Sequence, residues 1–430
     1  MSLVVLLVSF LLMLVVGVPI VIAIGSTTLL PGLLDSSFVG TASFVVRNVV
    51  AGANSTALLA LPLFIISGAI MSKGGISERL FNVFAYVLGK RTAGMPCAVV
   101  VTCLFYGAIS GSGPATAAAV GGMSIPLLTA LGYSPVFSAA LVATAGGLGT
   151  VIPPSIPFIN YGVVTDTSIS DLFIAGIIPG ILIALCLCIY CIYYCYRNGE
   201  DKALIAAHCG RLHNKGFFRV LRESFWALLT PVIILGSIYG GICTPTEAAA
   251  FSVLYAIIVS VFIYRSMSLR DLIPILTDSV RSYGPLCLLL AVCTAFSRVL
   301  LLLGVPELLS DFIVAHFNSS IAFLFACNIV FLALGMFIDA GPALLILAPI
   351  VLPAAESMGI NPVHFGVAMV VNLCIGFVSP PFGVNLFVTA PIAKISVMDL
   401  GKAALGFIAF FLVALLMITY IPALSLCLLD

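Results

Sequence analysis

Gly149-Thr150-Val151-Ile152-Pro153-Pro154-Ser155 lies inside an apolar run long enough to span a bilayer, and Gly376-Phe377-Val378-Ser379-Pro380-Pro381-Phe382-Gly383 lies inside another. Proline withholds an amide donor and clashes with the preceding turn, so each stretch breaks its helix. In hydrocarbon, the backbone groups set free by a break need partners inside protein or at an ion. Two broken helices at matching places in two halves of a chain point to the binding site of a secondary transporter.

Composition agrees with this class. The 430-residue chain is 62% hydrophobic and 8% charged, with mean hydropathy +1.28, which marks a polytopic membrane protein. A net charge of +1 argues against a nucleic-acid partner. Most of the 13 cysteines lie in apolar spans, where Cys acts as a small hydrophobe. Cys186, Cys188, Cys191 and Cys195 include a CxxC, but their segment is a lipid-length span without polar neighbours. His208, His213, His316 and His364 are scattered and form no HExxH. The first apolar stretch has neither a basic leader nor an A-x-A site and reads as a retained span.

The chain repeats itself. At an offset of 227 residues, Pro126 meets Pro353, Gly132 meets Gly359, Pro135 meets Pro362, Gly149 meets Gly376, and Pro153-Pro154 meets Pro380-Pro381. Within one residue of that offset, Gly113-Pro114 meets Gly341-Pro342 and Pro19 meets Pro245. Glycine and proline dictate backbone path, so their coincidence signals structural repeats. The first repeat covers 1–196, a linker 197–224, and the second repeat 225–430. Hydropathy places spans at 2–17, 18–33 (interrupted by Pro31), 46–72, 134–165 (broken) and 172–196, with a polar arm at 75–91 and an interrupted pair at 94–131. The second half reads as 225–242, 245–265, 283–304, an arm at 305–317, a pair at 320–358, a broken span at 360–394 and a last span at 402–427.

Each interrupted pair has a small-residue tip, Ser110-Gly111-Ser112-Gly113-Pro114 and Ile338-Asp339-Ala340-Gly341-Pro342. Read as re-entrant hairpins rather than two ordinary spans, they leave five crossings per half, and an odd number inverts one half relative to the other. The positive-inside rule favours this count. The linker, with Arg197, Lys202, Arg211, Lys215, Arg219 and Arg222, is then cytoplasmic, and of 17 Lys and Arg only Arg47 and Arg298 miss the cytoplasmic side. Both termini fall outside. The expected fold is an all-α inverted repeat, five spans plus one re-entrant hairpin in each half.

Residues 92–165 contain no Asp, Glu, Lys, Arg or His, yet hold a hairpin tip, a broken helix and the polar groups Ser110, Ser112, Thr150, Ser155 and Asn160. Such a site works with backbone: helix N-termini offer amides to an anion, and C-termini offer carbonyl oxygens to Na+. The same glycines and prolines also permit close helix packing. Arg298 lies in the outer third of its span, where it binds a carboxylate or snorkels. Asp339, at the second tip, gates, ligates a cation or caps the helix starting at Pro342. Glu247 follows Thr244-Pro245-Thr246 as a first-turn acid, and Glu356 caps the water-facing foot of the second hairpin. No Walker A sequence, GxSxG or HExxH is present, so the chain does not read as an enzyme.

Leu61-Pro62-Leu63-Phe64, Gly74-Gly75-Ile76-Ser77-Glu78-Arg79, Ser110-Gly111-Ser112, Ile152-Pro153-Pro154-Ser155 with Tyr161-Gly162, and Leu172-Phe173-Ile174-Ala175-Gly176-Ile177-Ile178-Pro179-Gly180 follow one another in the first half. Thr244-Pro245-Thr246-Glu247-Ala248, Gly335-Met336-Phe337-Ile338-Asp339 and Ser379-Pro380-Pro381-Phe382-Gly383 follow in the second. Together they resemble the large membrane subunit of tripartite ATP-independent periplasmic (TRAP) transporters over essentially the whole chain. Ser379 stands where many members have Thr; both carry a hydroxyl.

The resemblance implies an elevator-type importer in the bacterial inner membrane, with a scaffold and a moving transport domain. It implies an organic-acid substrate such as a C4-dicarboxylate or sialic acid, and coupling to Na+. The implied partners are a periplasmic substrate-binding protein and a small four-span membrane subunit, which is not fused to this chain. Carried over, the sodium sites are Ser110, Ser112, Gly149 and Pro153 in the first half, and Asp339, Gly341, Gly376 and Ser379 in the second. Candidate substrate contacts are Ser112, Ser155, Asn160, Arg298 and Asn385. A stand-alone carboxylate symporter of similar fold and a channel are the alternative readings.

Overall fold

A computed structural model of the chain describes residues 2–35, 37–305, 308, 317, 319–336, 340–380 and 383–429. Asp339, Pro381 and most of the arm expected at 305–317 therefore lie outside the described residues. Every regular element among the described residues is helical. Among the described residues seven helices are long and apolar enough to cross a membrane, and the pair Ala60–Lys73 and Ile76–Leu88, bent by 67°, brings the number to eight. One of the eight, Ala340–Ser357, is a limb of an expected hairpin and not an expected crossing. The other seven match expected crossings, and the three left over fall on shorter pieces: Ser2–Val15 has 14 residues, Ile20–Leu34 has 15, and the stretch 360–394 is divided into Pro362–Gly376 and Val384–Ala393.

Several boundaries differ from the hydropathy reading for local reasons. The stretch 46–72 is not one helix but Ala42–Ala53, a 3-10 turn at Thr56–Leu59, and Ala60–Lys73. Its repeat partner is a single 31-residue helix, Leu272–Leu302, longer than the 283–304 expected. The extra turns carry exposed Asp278 and Arg281, which lower hydropathy without weakening the helix. Pro31 sits within the last turn of Ile20–Leu34 without interrupting it. Ile169–Asn198 and Val397–Tyr420 begin before their apolar runs because Ser168 and Ser396 cap them, accepting the amides of Asp171 (3.3 Å) and Asp399 (3.1 Å). Thr244 and Glu247 form a reciprocal capping box at the start of Pro245–Ile257.

Contacts sort the helices into two groups. In one, Leu272–Leu302 packs along Ile20–Leu34, Ala42–Ala53 and Ala60–Lys73, and Pro245–Ile257 lies against Ala60–Lys73. In the other, Pro135–Gly146 packs against Gly113–Ala130, Val384–Ala393 and Val397–Tyr420, while Pro362–Gly376 packs against Ser320–Gly335 and Ala340–Ser357. The second group holds the deepest core. In Pro135–Thr165, 89% of the most apolar window is buried inside protein, against 33% in Phe217–Tyr239. A charge in that interior would lose water with no headgroup to reach, which accounts for the empty charge inventory of residues 92–165.

A charged clasp holds the group together at the linker end. Both carboxylate oxygens of Glu200 accept the Ala93 amide at 3.1 Å, and Glu200 also accepts the Tyr133 hydroxyl. Ala93 and Tyr133 flank the two helices Gly94–Ser110 and Gly113–Ala130, so one side chain ties both feet of the pair.

Candidate functional site

The site begins where the first broken helix loses its hydrogen bonds. Pro153 has no N–H for the Gly149 carbonyl, and Pro154 has none for the Thr150 carbonyl. The Thr150 carbonyl is rescued by the Ser155 hydroxyl, which donates to it, while the same oxygen accepts the Phe158 amide at 3.3 Å and caps Ile156–Thr165. The Ile156 amide crosses to the neighbouring tip and donates to Gly111 O at 3.1 Å. Ser155 is thus committed to holding the break together.

Gly111 turns at φ +64, a conformation L side chains rarely adopt, and packs so near the break that a Cβ there would lie 2.8 Å from the Pro154 carbonyl. Beside it, Ser110 and Thr116 share a 2.7 Å hydrogen bond, and the Ser112 amide reaches Ser110 Oγ at 3.4 Å. Gly149 presses against this group: a Cβ on it would lie 2.7 Å from the Ser112 carbonyl and closer still to the Thr116 hydroxyl. Gly107 makes the approach possible, with its own Cβ position 2.7 Å from Gly149 Cα. The junction therefore brings the hydroxyls of Ser110 and Thr116 and the carbonyl of Ser112 together against the backbone of Gly149, where the carbonyl freed by Pro153 begins the break. Hard oxygen donors of this kind suit Na+. Thr116 was not a sequence candidate; its signal is its place four residues after Ser112 on the same helix face.

The second half repeats part of this arrangement. Gly376 packs on Gly335, where a Cβ would lie 2.7 Å from Gly335 Cα. The Ser379 hydroxyl donates to Ile375 O at 2.9 Å, and the Asn385 amide bridges the break to Phe377 O at 3.0 Å. Gly341 has different neighbours, Asn160 and Leu286. The two breaks touch directly: the Cys374 thiol donates to Gly147 O at 3.0 Å, across 227 residues. Among the described residues no three His, Cys, Asp or Glu side chains converge as a metal-ligand set.

A cavity of about 170 Å³ lies between the tips, lined by Ser112, Thr150, Asn160, Leu286, Gly341 and Phe377 among others. Among the described residues its lining carries no ionisable side chain. Asn160 is 1% exposed, and its Oδ1 has no hydrogen-bond partner among the described residues. A buried amide oxygen left unpaired is costly unless something else meets it. Of the five candidate substrate contacts, the structure places Ser112 and Asn160 at this cavity. Ser155 is the cap described above. Asn385 donates to Ala143 O at 2.8 Å and joins the second broken helix to Pro135–Gly146. Arg298 lines a separate cavity of about 230 Å³, nearer the end of the molecule away from the linker.

Compared with known proteins, residues 7–424 match the family described as "Tripartite ATP-independent periplasmic transporter, DctM component". The isethionate TRAP transporter permease DctMQ of Oleidesulfovibrio alaskensis is 40% identical over 96% of this chain, which spans 64% of that relative's length. The C4-dicarboxylate large permease DctM of Pseudomonas aeruginosa is 40% identical over 86% of both chains. The sialic acid large permease SiaM of Vibrio cholerae is 33% identical over 90% of this chain and 89% of its own. Among solved structures, Neisseria gonorrhoeae MtrF superimposes with a TM-score of 0.60 at 14% identity, covering 88% of this chain and 82% of its own, a likeness of fold.

Proposed function

The chain belongs to the DctM component family of tripartite ATP-independent periplasmic transporters, and from that premise we propose that it is the permease of a sodium-coupled organic-acid importer. The observation that carries the proposal is the oxygen-lined junction of Ser110, Ser112, Thr116 and Gly149 in a stretch with no titratable Asp, Glu or His. A proton-coupled site needs a group that changes charge, and residues 92–165 offer none of these. Hydroxyl and carbonyl oxygens instead suit a dehydrated cation. Entry of an anion into a negative-inside cell is opposed by about 2.3 kcal/mol per charge per 100 mV, so co-transported cations must offset that charge. A stoichiometry of more than one Na+ per substrate goes further and makes the net charge carried inward positive for a monoanion, so that the membrane potential drives uptake.

In this proposal the two helix groups act as scaffold and moving transport domain, and the cavity between the tips carries the substrate. Two features support an inverted repeat over 1–196 and 225–430. Glycine pairs Gly107–Gly149 and Gly335–Gly376 occupy matching places, and Cys374 bonds the residue that lies one repeat length before it. The substrate is an organic acid, as the names of the dicarboxylate, sialic acid and isethionate relatives suggest. It is delivered by a periplasmic binding protein and carried with a small membrane subunit. The chain sits in the bacterial inner membrane with both termini periplasmic.

The test is uptake into proteoliposomes holding this chain, a small membrane subunit and a binding protein. Uptake should rise steeply with external Na+ and respond to membrane potential, and the chain alone should transport poorly. Uptake driven equally well by a pH gradient in Na+-free buffer would refute the coupling.

A further inference from the structure

We propose that the cavity around Arg298 is a second, peripheral binding site, built for a monoanionic organic acid rich in hydrogen-bond donors and hostile to dicarboxylates. The inference deepens the transport reading by naming the acid that approaches the permease. Three elements supply the walls. Arg298 comes from Leu272–Leu302, Asp166 from the end of Ile156–Thr165, and Glu356 from the end of Ala340–Ser357. No ion pair joins these charges among the described residues, and all three residues are exposed at the walls of the cavity.

The donor and acceptor inventory decides the ligand. Thr165, Thr294 and Ser297 also line the cavity. Each has its hydroxyl on the carbonyl four residues back, Tyr161 at 2.6 Å, Leu290 at 3.0 Å and Cys293 at 2.9 Å. Their hydrogens are engaged, and the Thr165 oxygen also pairs with the Thr167 hydroxyl at 2.9 Å, so what remains for a ligand on these oxygens is lone pairs. Asp166 and Glu356, when ionised, are acceptors only. Among the described lining residues Arg298 is then the one strong side-chain donor, beside five acceptors. A carboxylate or sulfonate fits Arg298, whose planar fork matches such a group. The remainder of the ligand must bring hydroxyl or ammonium hydrogens to the other walls. A second carboxylate would meet the like charges of Asp166 and Glu356 and bring them no hydrogens. The described lining of the cavity between the tips carries no charge to make such a distinction.

The experiment is equilibrium binding to the purified full chain in nanodiscs, read by saturation-transfer NMR. Potassium buffer without Na+ is used, so a failure of sodium coupling leaves the result intact. Three probes are compared: glycerate, a monoanion with two hydroxyls; propionate, of the same charge without them; and succinate, a dianion. Glycerate should bind about tenfold more tightly than the other two, and Arg298→Gln should weaken it by about tenfold, the worth of one charge-assisted contact. Arg298→Lys should recover only part of that loss. Glu356→Gln should tighten succinate, a gain of binding that misfolding does not produce. Equal affinity for glycerate and propionate, succinate as tight as glycerate, or glycerate binding unchanged in Arg298→Gln would each overturn the proposal.

Discussion

Replacing Gly149 by Ala should damage both stability and transport, and the geometry sets the size of the effect. The added methyl would sit 2.7 Å from the Ser112 carbonyl, whereas an ordinary contact starts at 3.4 Å, so the tip must retreat by about 0.7 Å. The carbonyl is backbone and cannot rotate away. The Thr116 hydroxyl, closer still, escapes only by abandoning its 2.7 Å bond to Ser110. Overpacking of this kind costs about 1–3 kcal/mol, and a lost buried hydrogen bond adds about 1 kcal/mol. A total near 2–4 kcal/mol should appear as a clearly lower unfolding temperature of the purified protein. It should also appear as Na+-dependent uptake reduced by more than about tenfold, because the retreat separates the oxygens of the junction. Gly122→Ala is the control: its Cβ meets nothing within 4 Å, so it should gain about 1 kcal/mol of helix propensity. If Gly149→Ala transported and melted like the parent, the close approach of break and tip would not be what builds the site.

Orientation is checked by reporters: a fusion after residue 430 should be periplasmic, and one inserted near His208 cytoplasmic, and the opposite pattern would sink the inverted count. Acid should loosen the linker helix Lys202–Asn214 from Ile76–Leu88. Burial lowers the pKa of His208 below its usual 6.5, with nearby Arg211 adding to the shift, and its Nε2 is buried without a partner. The neutral form therefore favours the docked helix, so docking is full above pH 6.5 and is lost as pH falls through the lowered value. Hydrogen exchange over residues 202–214 should accelerate between pH 7.5 and 5.5, and His208→Gln should flatten that response; equal acceleration in the variant would acquit His208.

The parts of the site that rest on backbone chemistry are legible from sequence, because proline and glycine restrict the chain wherever they occur. Pro153-Pro154 frees the Gly149 carbonyl whatever surrounds it, and Gly111 marks a turn without any knowledge of its neighbours. Side-chain roles are less legible because they depend on partners far away in sequence. Ser155 looks like a ligand until Thr150 O and the Phe158 amide are seen to occupy it. Asn385 looks the same until Ala143, 242 residues distant, takes its amide. Arg298 stands out in sequence as a cation in an apolar span, yet nothing local reveals that its cavity is not the one between the tips. Thr116 escaped notice because one hydroxyl in an alanine-rich helix carries no pattern of its own.

The crossing of the two broken helices adds a mechanical consequence. Cys374 bonds Gly147 two residues before each break glycine, Gly149 on one side and Gly376 on the other. A Cβ on Gly147 would lie 2.7 Å from that sulfur, so the helices meet with no room to slide. Asn385 makes a second tie between them at Ala143. Packed interiors move as blocks rather than deforming continuously. In the proposed transport cycle, the two breaks and the Ser112–Asn160 cavity beside them act as one body, and a change of position carries the site whole. Leu286, on a helix of the other group, lines that cavity as well. A relative movement of the two groups exchanges this wall while leaving the rest of the lining in place, which is what alternating exposure of a fixed site requires.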